Sequence, residues 1–412
     1  MAIVETEVGI EPAAQRALRR AWQGALVCFV LAGLTGAFFR FGIAYGWTAG
    51  LGLVNIRHAH SHLMYFGWVT PALMALLSLH LPALTGRPLS AGLRRIGGVI
   101  FFAALLTYPF FLALGYTPVE IGTARLPLAV ISSTANVFCW YVFVWCYWRE
   151  MRGVERTRAL LLWDLAATFL VLASLGAWGL ALLKPLGIED PAWVVGLTHV
   201  FLDLFSEGWF VLGVLGLLHA RAQTPGRAAH WSIVLVVLGL PVTFALGMPD
   251  ALVPPGLHLL ARVGGTLVAV GLLANVAILW RAGPGGEGWF WKLPLLMLAL
   301  KALAELSVGV LPDVRWAGAP AMRVLYLHVM LLGFVSLGLV GVAAQVFERV
   351  AAARWFYAAV ALLLVSLLPL TPLWPGGWQG RWTFVAAAWI ALGPVVAAAG
   401  LLASSRRSSA RA

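Results

Sequence analysis

The chain has 412 residues, of which 61% are hydrophobic and 11% charged, with a formal net charge of +12 and a mean hydropathy of +0.90. Soluble domains carry about 25% charged residues, so the composition excludes a water-soluble globular protein. The positive charge is accounted for by the loops of a membrane protein facing an anionic inner leaflet, and it is no argument for nucleic acid.

Runs of about 20 apolar residues cross a bilayer as helices. Twelve such runs follow one another at roughly 22–45, 60–82, 95–115, 125–148, 158–183, 192–219, 230–249, 256–281, 289–311, 321–347, 354–373 and 382–403. The connections are short, with no long soluble insertion and no internal repeat. The expected architecture is therefore all-α: one polytopic bundle of about 12 helices over 21–403, preceded by a segment at 1–20 and followed by a basic tail at 404–412. Residues 1–20 hold acids and Pro12 but no short apolar stretch with a cleavage site, unlike a secretory signal.

Of the 28 Lys and Arg, 19 fall before the first run, after even-numbered runs or in the tail, and 6 fall in the opposite loops. The 6 are Arg57, Arg125, Lys184, Arg315, Arg323 and Arg381, while Arg40, Arg262 and Lys301 lie inside runs. The positive-inside rule then places both termini in the cytoplasm, and the even-numbered runs start on the outer side. The expected location is a bacterial cytoplasmic (inner) membrane, with lipid as the first partner. Cys28, Cys139 and Cys146 all fall within runs, which excludes a disulfide framework, and buried free cysteine packs as a small apolar residue. The chain has no Cys-x-x-Cys-His and attaches no c-type haem itself.

Histidine carries the chemistry. His60 and His62 open the second run, and His199, His258 and His328 come early in the sixth, eighth and tenth. All these runs enter from the outer side, so the imidazoles share one outer slab. Ionisable residues in hydrocarbon are costly and need a reason; a metal centre, a haem held between His60 and His328, supplies it. Arg57, Arg323 and Arg125 are on the same side to neutralise propionates. His58 and His62, one helical turn apart, face away from His60. His80, His219 and His230 fall at the cytoplasmic ends and read as solvated interfacial side chains.

In the sixth run His199, Asp203 and Glu207 recur at i, i+4 and i+8, one stripe on one face. Such a stripe binds a metal through imidazole and carboxylate, or moves protons inward. His258 would complete a single iron, copper or zinc site with mixed nitrogen and oxygen ligands. Lys301 and Glu305 have the i, i+4 spacing of an ion pair.

The second run reads Asn55-Ile56-Arg57-His58-Ala59-His60-Ser61-His62-Leu63-Met64-Tyr65-Phe66-Gly67. It resembles the second helix of haem-copper oxidase subunit I in the cytochrome cbb3 and nitric oxide reductase branch, where Arg-x-x-His precedes Phe-Gly and the histidine ligates the low-spin haem. Arg57 and His60 take those places. The tenth run, Tyr326-Leu327-His328 with Gly333 five residues on, resembles the family's His-x-His helix. His328 matches the low-spin ligand and Tyr326 stands where the high-spin ligand would be. The sixth run resembles the reductase His-Leu-Trp-Val-Glu-Gly stretch at Glu207-Gly208, with Asp203 at the copper histidine's place. The seventh run has no histidine pair for copper. A second resemblance is to the NnrS family, membrane proteins associated with haem, copper and nitric oxide stress: His60-Ser61-His62-Leu63-Met64-Tyr65-Phe66-Gly67 and Thr85-Gly86-Arg87-Pro88 fit its pattern.

These resemblances imply a haem b protein of oxidase subunit I type with a degenerate second centre, acting in electron transfer or in handling O2 or NO. An electron-donor subunit, cytochrome c or quinol would be its partner. The alternatives are an NnrS-like stress protein and a metal- or proton-coupled transporter without haem.

Overall fold

With no water in the bilayer core, each segment must satisfy its own backbone polar groups, which selects helices. In the computed structural model, which describes residues 11–222, 230–283, 289–311, 314, 319–347 and 350–409, twelve helices are long and apolar enough to span a membrane. They are α1 (Pro12–Tyr45), α2 (Leu53–Thr85), α3 (Ala91–Leu114), α4 (Leu128–Glu150), α5 (Arg158–Leu183), α6 (Pro191–Ala222), α7 (His230–Gly247), α8 (Pro255–Ala282), α9 (Phe290–Val310), α10 (Pro320–Val346), α11 (Val350–Leu370) and α12 (Arg381–Ser405). The only strands among the described residues form a hairpin of β1 (Val119–Ile121) and β2 (Ala124–Leu126), which pair antiparallel. Gly122, at φ +62, makes its tight turn. The first ten residues and the cations Arg227, Arg315, Arg349 and Arg411 lie outside the described residues.

Helix ends follow local chemistry. Ser90, Thr157 and Asp190 each accept a backbone N–H in the first turn of α3, α5 and α6. Gly46 and Gly86 close α1 and α2 in the left-handed conformation. Two boundaries differ from the hydropathy reading. α1 starts at Pro12 and α2 at Leu53, not near 22 and 60, because hydrogen bonding carries a helix past its apolar core into a polar turn. His60 is thus the eighth residue of its helix, His199 and His328 are each the ninth, and His258 is the fourth.

The chain packs as two compact units. The first holds residues 1–154 and 339–412, hence α1–α4, the end of α10, α11 and α12. Its centre is α2, whose Trp68 packs against Trp22 and Phe29 of α1 at ring-centroid separations of 5.4 and 5.1 Å. Arg87, in the Thr-Gly-Arg-Pro stretch, donates to the carbonyls of Glu150 and Arg152 at the end of α4, so this motif is accounted for by loop structure.

The second unit, residues 155–338, holds α5–α9 and most of α10. Small residues let α7 and α8 approach closely: a Cβ on Gly239 would meet the Gly264 carbonyl, and one on Gly271 the Ser232 carbonyl. Large apolar side chains such as Phe102, Trp355 and Val396 point outward, the composition of a surface made for lipid.

Candidate functional site

In the first unit, the start of α2 sorts His58, His60 and His62 onto two sides. The His60 ring turns toward α1, where Nδ1 lies 2.7 Å from the Ala32 carbonyl. A carbonyl only accepts, so Nδ1 carries the proton and Nε2 is left with its lone pair. Gly36 gives the ring its room, since a Cβ there would sit 2.7 Å from the imidazole. His58 and His62 turn toward α3. His62 stacks on Phe111 at 3.7 Å, and its Nε2 lies 3.1 Å from the Tyr116 hydroxyl. His58 meets the same tyrosine edge-on. The buried Nδ1 of His62 has no hydrogen-bond partner. The two-sided arrangement read from helical spacing is therefore present, and of these three His60 has its Nδ1 bonded to a carbonyl while His62 has its Nε2 taken by a tyrosine. Arg40 of α1 acts electrostatically on His60; a lone arginine inside an apolar run was the signal available for it.

In the second unit, His328 has the same polarity. Its Nδ1 lies 2.7 Å from the Val324 carbonyl one turn back. Of the three arginines expected near a propionate, Arg323 donates to the Gly247 carbonyl at 3.0 Å. Arg125 is 72% exposed and pairs with Glu120 across the hairpin at 3.2 Å, while Arg57 is exposed at the start of α2.

The stripe on α6 divides. His199 and Asp203 both face α7: His199 packs against Gly247, and Asp203 bonds the Thr243 hydroxyl one turn earlier. After Asp203 the helix widens into a π-helical stretch, Leu204–Val211. Glu207 consequently leaves the stripe. Its Oε2 accepts from Lys301 Nζ of α9 at 2.6 Å, and its Oε1 accepts from the Tyr326 hydroxyl of α10 at 3.2 Å. Lys301 also donates to Glu305 Oε2 at 2.6 Å, completing the i, i+4 pair legible in the sequence. The ammonium is 0% exposed and the carboxylates 8% and 5%. It also lies 5.8 Å from the Tyr326 ring centroid. Breaking such a buried pair is strongly destabilising, because the remaining charge is left without compensation.

The mixed-ligand metal site expected from His199, His258, Asp203 and Glu207 is not assembled. Among the described residues no three His, Cys, Asp or Glu side chains gather closely enough to hold a metal ion. Glu207 is taken by Lys301 and Tyr326, Asp203 faces Thr243, and His258 lies 3.9 Å from Asp250 at the start of α8. The i+8 spacing failed because it assumed an unbroken α-helix.

A further correction concerns His219, expected in water. It is 1% exposed, and its Nε2 accepts from Arg158 Nε at 3.3 Å. Arg158, placed in a loop by its charge, is 2% exposed and also donates to Ser232 at 2.8 Å and Asn275 at 2.9 Å. Asn275 and Ser232, uncharged positions on α8 and α7, were missed because single polar residues in apolar runs carry little signal. His230 is exposed as expected, and His80 is half-buried with Nδ1 2.7 Å from the Leu76 carbonyl.

These features define a class, a multi-pass helical membrane protein with buried ionic and imidazole groups in its helices. No known family model matches the chain, and no curated protein matches it.

Proposed function

We propose that this chain is a haem b-binding protein of the haem-copper oxidase subunit I type, with His60 and His328 as axial ligands of one low-spin haem. It would lie in a bacterial cytoplasmic membrane with both termini inside, and serve electron transfer or the handling of O2 or NO. The NnrS resemblance leads to the same pair of histidines. The observation that carries the proposal is the polarity of the two rings. A ligating imidazole almost always gives its other N–H to a carbonyl or carboxylate, which fixes the tautomer and directs the free nitrogen to the metal. His60 does so with Ala32 and His328 with Val324, each inside its own unit. A bound haem would supply one-electron exchange with a donor subunit, cytochrome c or quinol. The residues' own work is to hold Nε2 unprotonated, to leave ring space through Gly36, and to offer cations through Arg57 and Arg323.

A reduced-minus-oxidised optical spectrum of the detergent-solubilised protein tests this. We expect a low-spin b-type spectrum that His328→Ala and His60→Ala each abolish while His62→Ala leaves it in place. Protein that inserts but carries no haem overturns the reading, as does an unchanged spectrum in His328→Ala.

The Lys301 cluster favours a second reading, proton-coupled transport without haem. Buried ionisable residues of membrane helices mark proton relays, and this cluster has more acids than bases. Haem-free protein that takes up protons when reconstituted in vesicles would select it.

A further inference from the structure

Three carboxyls, Asp203, Glu207 and Glu305, share one region of the second unit with a single ammonium, Lys301. Arg323, in the first turn of α10, acts electrostatically on Asp203 and donates to the Gly247 carbonyl. Around the carboxyls lie Thr243 from α7, Gly265 from α8, Lys301 from α9, and Tyr326 and Arg323 from α10, while Arg262 of α8 donates to the Gly309 carbonyl of α9 one turn beyond Glu305 and Phe169 of α5 packs against Gly208. Lys301 is bonded to both Glu207 and Glu305, so one ammonium faces two carboxylates. Glu207 and Glu305 are the two buried acids among the described residues. A buried carboxylate without a counter-charge takes up a proton rather than remain ionised.

We infer that Asp203, Glu207 and Glu305 form a proton-binding site that keeps at least one carboxyl neutral at neutral pH, with Lys301 as its fixed cation. Lys301 bridges Glu207 and Glu305 through equal 2.6 Å bonds. A proton can therefore reside on either side of the ammonium while the other carboxylate keeps the ion pair. The Tyr326 hydroxyl donates to the second oxygen of Glu207 at 3.2 Å, so both oxygens of that carboxyl have a donor. Transfer moves only a proton between oxygens, with no oxidant or co-reactant. His199, Arg323 and Gly247 lead toward Asp203 from one end of α6. Beyond Glu207, the buried stretch from Trp209 to Leu218 holds only apolar residues and glycine before His219. Proton binding needs no haem; it gives the proton-coupled reading its chemical site without requiring transport.

Infrared difference spectroscopy of the purified full-length protein, in H2O against D2O, reads this directly. We expect a neutral-carboxyl C=O stretch at neutral pH that shifts on deuteration. The band should be lost in the combined Asp203→Asn, Glu207→Gln, Glu305→Gln variant and gain intensity in Lys301→Met, where a second proton replaces the ammonium. Lys301→Arg, which keeps the charge, should leave the wild-type band and guards against a folding defect in the methionine variant. Absence of the band in the wild type overturns the inference, as does a band that survives the triple substitution. A band present in protein that moves no protons across vesicles refutes coupled transport but leaves the proton site standing.

Discussion

Lys301→Met should expose how much of the second unit depends on one ammonium. Its nitrogen lies 2.6 Å from both Glu207 and Glu305, so the two near oxygens are within about 5 Å of each other. At that distance and an effective dielectric of about 20, two carboxylates repel by about 3 kcal/mol. Measured losses on removing one partner of a buried ion pair are about 3–5 kcal/mol. The two figures agree, and a loss of about 3–5 kcal/mol in unfolding free energy is expected at alkaline pH. The deficit should shrink as the pH falls, because a carboxyl that has taken up a proton no longer needs the ammonium. Adding Glu305→Gln should restore part of the stability by removing one of the facing charges. Unfolding of the detergent-solubilised protein, followed by tryptophan fluorescence over a pH series, measures all three quantities. A methionine variant as stable as the wild type at every pH would refute the reasoning, and so would a deficit that grows on acidification.

Gly36→Ala places a methyl 2.7 Å from the His60 ring, and should lower the haem content of the purified protein. Gly98→Ala on α3, where nothing lies within 4 Å, should leave it unchanged. Asn275→Ala removes an acceptor of the buried Arg158 and should cost about 1.5–3 kcal/mol in the same unfolding measurement, the range for a hydrogen bond to a charged group. Arg125→Ala, which breaks an exposed cross-strand pair with Glu120, should change stability by less than about 1 kcal/mol and leave the optical spectrum intact.

Much of this structure is legible from hydropathy and spacing. Twelve apolar runs became twelve spans, the Lys301–Glu305 pair lies where i, i+4 geometry puts it, and His60 and His62 separate as a two-residue step requires. What spacing could not show is which helices meet. Glu207 finds Lys301 across 94 positions of chain, and Arg158 finds Asn275 across 117. Charge alone put Arg158 in a loop and His219 in water, because the rule for loop cations counts residues near helix ends without asking which way they face. Two uncharged polar partners, Ser232 and Asn275, bond them inside the bundle.

The π-helical stretches link these misses to the chemistry. Leu63–Val69, Leu204–Val211 and Val329–Ser336 each begin one residue after an ionisable side chain: His62, Asp203 and His328. They fall in α2, α6 and α10, the three most enclosed spans, with 83%, 78% and 78% of their apolar windows buried. A π turn has poorer hydrogen-bond geometry than an α turn and is seen mostly as an insertion at functional sites, so dense packing on all sides must hold it. Each stretch contains one glycine, and two of the three pack tightly: a Cβ on Gly67 would strike Cys28 and Leu63, and one on Gly208 would strike Phe169. The consequence is a change of facing. Residues before the insertion keep the α stripe, as His199 and Asp203 do toward α7, and residues after it are rotated to another neighbour, as Glu207 is toward α9 and α10. A continuous stripe would have directed His199, Asp203 and Glu207 at one partner, the arrangement that suits a metal. The inserted residue instead divides the stripe and delivers Glu207 to a buried ammonium, which makes the centre of α6 a site for protons.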